Sequence, residues 1–337
     1  MRSSDDVEPL RWGVLGVANI AVRKVIPAMQ ASPLTPVVAI ASRAPERAAE
    51  AAAQLGIAEA FGSYEDLLAS PDVDAVYIPL PNHLHAEWTI AAARAGKHVL
   101  CEKPLALTAA EAQRMIDECE RAGVALMEAF MYRLHPMWQA VCDLVAEGAI
   151  GELRAIQTVF AYHNEDPTNI RNDAHAGGGA LYDIGCYAID LARMLFAAEP
   201  SAVHAAVRGD TRFGTDAITS AVLDFDGRHA TFVCSTQLEP AQRVELSGSA
   251  GRLVIEIPFN IPPDRTTRVL SIAGGNPPVA PHVDVLEFPP ADPYTVQGDA
   301  FTVAVRRGQP MPIPAANAIG NLDVIEAIAP GTTARWM

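Results

Sequence analysis

In the first third of the chain, short apolar runs alternate with stretches whose apolar positions recur every three to four residues. Strands are predicted at residues 11–16 (Arg11-Trp12-Gly13-Val14-Leu15-Gly16), 37–42, 73–79, 98–102 and 124–129. Helical patterns separate them at 18–30 (interrupted by Pro27), 46–55, 83–95 and 108–122. Thr108 with Glu111 three residues on forms a capping-box signature, and Gly96 and Gly123 stop the helices that precede them. Strands alternating with helices of this length describe βαβ units: a parallel sheet covered by helices on both faces.

After about residue 150 the pattern changes. Helices are predicted over 136–147 and 180–196, and then one strand follows another: 202–208, 218–225, 229–235, 243–248, 252–257, 268–272 and 283–288. Turn signals such as Asp226-Gly227 and Ala250-Gly251 separate them, and the pairs Pro262-Pro263, Pro277-Pro278 and Pro289-Pro290 mark loops at strand ends. Two more helices are predicted at 294–307 and 316–327. The expected fold class is α/β plus α+β. A dinucleotide-type α/β domain spans residues 1–129, and an α+β domain built on a large, mostly antiparallel open sheet spans residues 130–337.

The composition narrows the partners. Of 337 residues, 25 are Lys or Arg and 40 are Asp or Glu, a net charge of −15 that argues against nucleic acid or an anionic membrane as partner. Half the residues are hydrophobic, enough for a sizeable core, yet no apolar run reaches the ~18 residues of a membrane span. The stretch from Met1 to Arg11 is polar and acidic, unlike a secretory leader. Cys101, Cys119, Cys142, Cys186 and Cys234 are odd in number and widely spaced, without a C-x-x-C pair, which reads as small core residues in a reducing cytoplasm.

The first strand runs into Gly16-Val17-Ala18-Asn19-Ile20-Ala21, a variant of G-x-G-x-x-A with Ala18 as its middle small residue. Glycine permits the tight strand-to-helix turn, and small neighbours let backbone N–H groups approach a pyrophosphate. An NAD site usually places a carboxylate at the end of the second strand, for the ribose hydroxyls. Here that place is Ser42-Arg43, with Arg47 one turn on, a hydroxyl and guanidinium set suited to a 2′-phosphate. NADP is therefore the expected cofactor, with NAD the alternative.

Glu102-Lys103-Pro104 follows the predicted strand at 98–102, where residues past a parallel strand's carboxyl end face the ligand crevice. Gly177-Gly178-Gly179-Ala180 opens the helix that carries Asp183 and Tyr187, four residues apart and so on one face; the glycines read as a flexible start. A lysine ammonium favours the phenolate of a neighbouring tyrosine and lowers its pKa. Such a tyrosine can exchange a proton with an alcohol or carbonyl while hydride moves to or from a nicotinamide.

On these residues the chain resembles the glucose–fructose oxidoreductase / inositol dehydrogenase / rhizopine-catabolism (Gfo/Idh/MocA) oxidoreductases over nearly its whole length. The resemblance is carried by Arg11 to Gly16 with Asn19-Ile20-Ala21, and by Ala75 to Pro79 with Asn82-His83-Leu84-His85. Gly96 to Pro104 and Gly177 to Tyr187 complete it. Tyrosine at Tyr187 is similar to the branch of glucose–fructose oxidoreductase and dimeric dihydrodiol dehydrogenase; histidine marks the inositol-dehydrogenase branch. The resemblance implies a Rossmann domain that binds NADP, and a C-terminal open sheet that joins subunits into a homodimer or homotetramer. It implies Lys103 and Tyr187 as the catalytic pair, supported by Asp183. The cofactor contacts it implies, together with those read above, are Gly16, Ala18, Asn19, Ile20, Ser42, Arg43, Arg47, Leu80, Asn82, His85, Glu102, Lys103 and Arg171. Asp166-Pro167 and Asn169-Ile170-Arg171 are similar to a segment that closes over the nicotinamide.

The expected activity is NADP-dependent hydride transfer to or from a sugar or polyol. Alternatives within the class are a trans-dihydrodiol dehydrogenase and a sugar–sugar oxidoreductase that retains its cofactor. Outside it stands a non-enzymatic NADPH sensor, which has no need of the Lys103–Asp183–Tyr187 set. A metal enzyme using His83, His85 and His175 lacks a telling ligand spacing, and no metal is expected. No twin-arginine leader precedes the first strand, consistent with the cytoplasm.

Overall fold

Six short strands, almost wholly apolar, form the first sheet: β1 (Trp12–Leu15), β2 (Val37–Ala41), β3 (Glu59–Phe61), β4 (Ala75–Ile78), β5 (His98–Cys101) and β6 (Leu126–Glu128). They lie in the order β3-β2-β1-β4-β5-β6, every pairing parallel. The order reverses beside β1, which makes the carboxyl ends of β1 and β4 the crevice of this sheet. The structure is a computed structural model that describes residues 7–274 and 282–329; Pro277-Pro278 lies outside them.

Helices α1 (Ile26–Gln30), α2 (Pro45–Leu55), α3 (Tyr64–Ala69), α4 (His85–Arg94) and α5 (Ala109–Ala122) connect the strands. Thr108 caps α5 by accepting from Glu111 N, while Glu111 Oε2 accepts from Leu107 N, one residue earlier than in a strict capping box. The helix predicted over 18–30 is two pieces. A turn of π-helix at Ala21–Val25 precedes α1, so Pro27 falls in an α-helical first turn, where its missing N–H costs nothing. The short β3 and the helix α3 were not expected, since Glu59–Phe61 is three residues long and mostly exposed.

Two compact units emerge, residues 1–134 with 292–319, and 135–291 with 320–337. The single boundary expected at 129/130 differs from this grouping. The helix Pro293–Arg307 returns to the first unit: Phe301 packs on Trp12 with ring centroids 5.0 Å apart, and Thr295 Oγ1 donates to Ala28 O at 2.7 Å. A large, fully buried Trp12 on β1 needs an apolar lid, and nothing local in sequence supplies it.

The second unit holds α6 (Pro136–Ala146), β7 (Leu153–His163), α7 (Cys186–Phe196) and seven further strands. These are β8 (Ala202–Gly209), β9 (Asp216–Phe225), β10 (Arg228–Ser235), β11 (Gln237–Gly248), β12 (Gly251–Ile255), β13 (Thr267–Ala273) and β14 (His282–Phe288). The sheet runs β14-β13-β12-β11-β7-β10-β9-β8 and is antiparallel except where β7 meets β10. Asp226 and Gly227 take φ of 55° and 87°, the double positive φ of a tight hairpin turn. The strand β7, eleven residues long and central to the sheet, was missing from the sequence reading. Its buried Ile156, Thr158 and Phe160 face one side and its exposed Val159 the other. The final helix, Asn317–Ile328, contributes Asn321, whose Oδ1 accepts from the buried Arg193 of α7 at 3.0 Å.

Candidate functional site

The first group of residues gathers at the carboxyl ends of β1 and β2. Gly16 turns the chain with φ of 117°, and a Cβ there would lie 2.9 Å from Leu80 Cδ2. The positive φ is what calls for glycine; the leucine methyl could shift. Ala18 and Ile20 are half-exposed, Asn19 is exposed, and Val22 N donates to Ala18 O at 3.0 Å as the helix begins. Ser42 is buried and accepts from Ala44 N, which shapes the turn into α2 and leaves Arg43 and Arg47 exposed. Arg47 Nη2 reaches back to Val17 O at 3.4 Å, across the glycine turn. Burial pushes the Tyr64 hydroxyl above its ordinary pKa despite the neighbouring Arg43 and Arg47 guanidinium groups. Two exposed arginines therefore lie near the glycine turn, Arg47 reaching across it and Arg43 beside Tyr64. Such a turn fits a dinucleotide, and the guanidinium pair fits an additional phosphate on its ribose.

The second group lies past β4 and β5. The Lys103-Pro104 peptide is cis. Glu102 Oε1 accepts from the buried Tyr77 hydroxyl at 2.7 Å, and Glu102 Oε2 from Lys103 N at 3.3 Å. Burial and the Glu102 carboxylate together hold the Tyr77 phenol well above its ordinary pKa. Leu80 is buried, while Asn82, Glu102 and Lys103 are half-exposed. His85 differs from expectation. It is 0% exposed, with Nδ1 3.0 Å from Pro104 O and Nε2 2.8 Å from Leu80 O. Its ring braces the loops after β4 and β5 from behind, so its expected direct cofactor contact is corrected to a structural tie. Burial lowers its pKa to about 4 even though both carbonyls favour the protonated ring.

The third group belongs to the second unit. A turn of π-helix at Leu181–Gly185 leads into α7 and carries Asp183, with Tyr187 in the first α-helical turn. Such π turns recur at functional sites. The glycines before it serve close packing, in place of the flexibility expected. A Cβ on Gly178 would lie 2.5 Å from Arg171 O, and one on Gly179 would run into the carboxylate of Asp216. Asp216 is buried and satisfies the helix start: its Oδ2 accepts from Leu181 N at 2.9 Å and from Thr219 Oγ1 at 2.6 Å. Asp183 Oδ2 accepts from Arg171 Nε at 2.9 Å and from the Tyr162 hydroxyl at 2.5 Å. Burial, followed by the Asp183 charge, drives the Tyr162 phenol far above its ordinary pKa, so it stays a donor. The Tyr187 ring packs against both Phe160 and Phe259, with centroid distances of 5.6 and 5.1 Å, and those two rings stack on each other at 5.1 Å.

Sequence reasoning missed Tyr162 and Asp216. Tyr162 is legible only once β7 is recognised, and Asp216 sits among strand residues with no motif around it. Among the described residues, no cluster of three or more His, Cys, Asp or Glu is arranged to hold a metal ion. No helix among them is long and apolar enough to cross a membrane.

Comparison with known proteins agrees with this layout. Residues 10–130 match the family described as "Oxidoreductase family, NAD-binding Rossmann fold", and residues 138–254 match the "GFO/IDH/MocA C-terminal domain". An uncharacterised oxidoreductase of Rhizobium meliloti is 49% identical over 95% of this chain and 96% of its own. D-xylose 1-dehydrogenase (NADP(+)) 2 of Haloferax volcanii is 40% identical over the same shares, 95% and 96%. The crystal structure of a 3-ketoreductase of Actinomadura kijaniata, in complex with NADP and TDP-benzene, superimposes with a TM-score of 0.86 at 34% identity, covering 95% of this chain and 97% of that one. With a parallel dinucleotide sheet, a mixed open sheet and full-length relatives of this kind, the chain belongs to the Gfo/Idh/MocA family of oxidoreductases.

Proposed function

We propose that this protein is an NADP-dependent oxidoreductase that transfers hydride between the nicotinamide and a carbon of a sugar or polyol, as an aldose dehydrogenase or a ketosugar reductase. The observation that carries the reading is the Gly16 turn with Arg43 and Arg47 near it, and with Ser42 where an NAD site would place an acid. The xylose dehydrogenase and the ketoreductase, both named with NADP, support the same cofactor and the sugar class.

When bound, the nicotinamide supplies or takes the hydride. The protein's own part is the proton. Tyr187 gives a proton to the substrate oxygen or takes one from it. Its buried ring, packed against Phe160 and Phe259, has little freedom except at the hydroxyl hydrogen. Lys103 is assigned a substrate oxygen, which its positive charge polarises. Asp183 anchors a substrate hydroxyl or orients the proton path, fixed for that work by Arg171 and Tyr162. A panel of aldoses, polyols and ketosugars run with NADP(H) and NAD(H) tests the reading. Turnover of a sugar with preference for NADP supports it; tight NADPH binding with no turnover of any panel member would make the protein a sensor.

The second unit also offers a surface for a second copy of the chain. Helices α6 and α7 cover one face of the eight-stranded sheet. The other face bears a depression of about 850 Å³ lined by Gln157, Val159, His204, Ser220, Val222 and Val233, among others. Val159 and Val222 stay 39% and 38% exposed there, an apolar strip that a homodimer or homotetramer would cover. Sedimentation of the wild type against Val222→Arg tests this; a wild-type monomer would refute it.

A further inference from the structure

The turn that carries Lys103 meets a second carboxylate, Glu128, through Leu105. Glu128 ends β6, where Leu126 and Met127 are buried and an apolar residue is the default, yet Glu128 is itself only 1% exposed. A buried carboxylate is costly unless it accepts strong hydrogen bonds. Its Oε1 accepts from Leu105 N at 2.8 Å.

The local geometry explains the need. Cys101 pairs with Glu128 across β5 and β6, and Ala129 N still donates to Cys101 O at 2.8 Å. Beyond that point the strands part, and the chain after β5 turns through Glu102, Lys103, Pro104 and Leu105. Leu105 is fully buried, so its N–H has neither water nor a neighbouring strand to bond. The Glu128 side chain takes the place of the absent strand. The other residues of the turn are tied as well, Glu102 by Tyr77 and Pro104 by His85. Every residue around Lys103 is thus held by a buried side chain from a different element.

We propose that Glu128 is a positioning residue for Lys103: its carboxylate fixes the Leu105 N–H and so sets where the turn presents the ammonium. The inference rests on the catalytic reading of Lys103 above. Gln keeps an acceptor oxygen at the same reach. Asp keeps the charge but withdraws the acceptor by one methylene, and Met removes it.

The test uses the full chain, NADP and the panel sugar that turns over fastest. Glu128→Asp and Glu128→Met are expected to lower kcat by about 10–10²-fold, the usual scale for misplacing a reacting group by an ångström. They should also shift the pH profile of kcat, with NADPH affinity held, while Glu128→Gln restores both. A second readout needs no catalysis: the pH dependence with which an acylating reagent labels Lys103, read by peptide mass spectrometry on the cofactor-free protein. It should move in Asp and return in Gln. Wild-type kcat, pH profile and labelling in Glu128→Asp would overturn the proposal, and if Met does not fold, Asp against Gln decides. Lys103→Met, assayed in parallel, separates the two claims. Retained turnover there defeats the catalytic role of Lys103, and labelling then judges the positioning alone. Loss of turnover there beside a normal Glu128→Asp defeats only the positioning.

Discussion

Adding one methyl group at Gly178 tests how the second unit builds its site. The new Cβ would stand 2.5 Å from Arg171 O, 2.7 Å from Arg171 C and 2.8 Å from Asp173 O. Carbon contacts are comfortable at about 3.5–4.0 Å, so the backbone at 171–173 must retreat by roughly an ångström. None of these atoms is the end of a flexible side chain. The retreat also strains Gly178 N→Asp173 O at 2.9 Å and Gly179 N→Arg171 O at 2.8 Å. Overpacking costs about 1–3 kcal/mol and each weakened hydrogen bond about 1 kcal/mol, which together predict a loss of roughly 3–5 kcal/mol. For a unit of this size that lowers Tm by about 10 °C. Because Arg171 moves, its ion pair with Asp183 misaligns, and kcat should fall on the order of 10²-fold. Gly148→Ala is the control: its φ of 76° makes any side chain strained, but nothing stands within 4 Å. That costs only about 1–2 kcal/mol, with kcat unchanged. Calorimetry and sugar turnover read both variants. Wild-type Tm and kcat in Gly178→Ala would refute the close-packing argument.

Tyr187→Phe should reduce turnover by about 10²–10⁴-fold, the range for removing a general acid, with NADPH affinity nearly unchanged; near-normal turnover would remove Tyr187 from the proton path. For Arg43→Ala, fluorescence titrations should show NADPH affinity lost selectively over NADH, whereas equal losses would mean that Arg43 reads no phosphate. His85 carries a pH signature. Its pKa falls from 6.5 in the unfolded chain to about 4 when folded, so the unfolded state binds the proton first on acidification. Stability from this group is full above pH 6.5 and drops as pH falls to about 4, by about 3 kcal/mol. Urea titrations across that window should show the drop, and His85→Gln should lose it; an unchanged pH slope in the variant would assign the dependence to other groups. Tyr162→Phe removes a donor to Asp183 Oδ2, and a several-fold rise in KM for the sugar without loss of folded protein is the expected reading.

Short-range chemistry was legible in the chain itself. The apolar runs around Trp12–Leu15 and His98–Cys101 specify buried parallel strands because both their faces avoid water. Gly16 and the Ser42-Arg43 pair read as a candidate phosphate-binding turn because the needed φ and charge lie within a few residues. Likewise Glu102-Lys103-Pro104 and Asp183 to Tyr187 read as candidate catalytic segments from adjacent positions. Contacts made across long sequence separations were not legible. Only folding brings Glu128 to Leu105, Tyr162 to Asp183, Asp216 to Leu181, and Phe301 back onto Trp12. It also changes two readings: His85, an expected cofactor contact, is a buried brace, and the glycine run, an expected flexible start, is a packing requirement. The reason is physical. Periodicity and turn chemistry are properties of neighbours along the chain, whereas a buried polar group is satisfied by whatever partner the packed core places beside it.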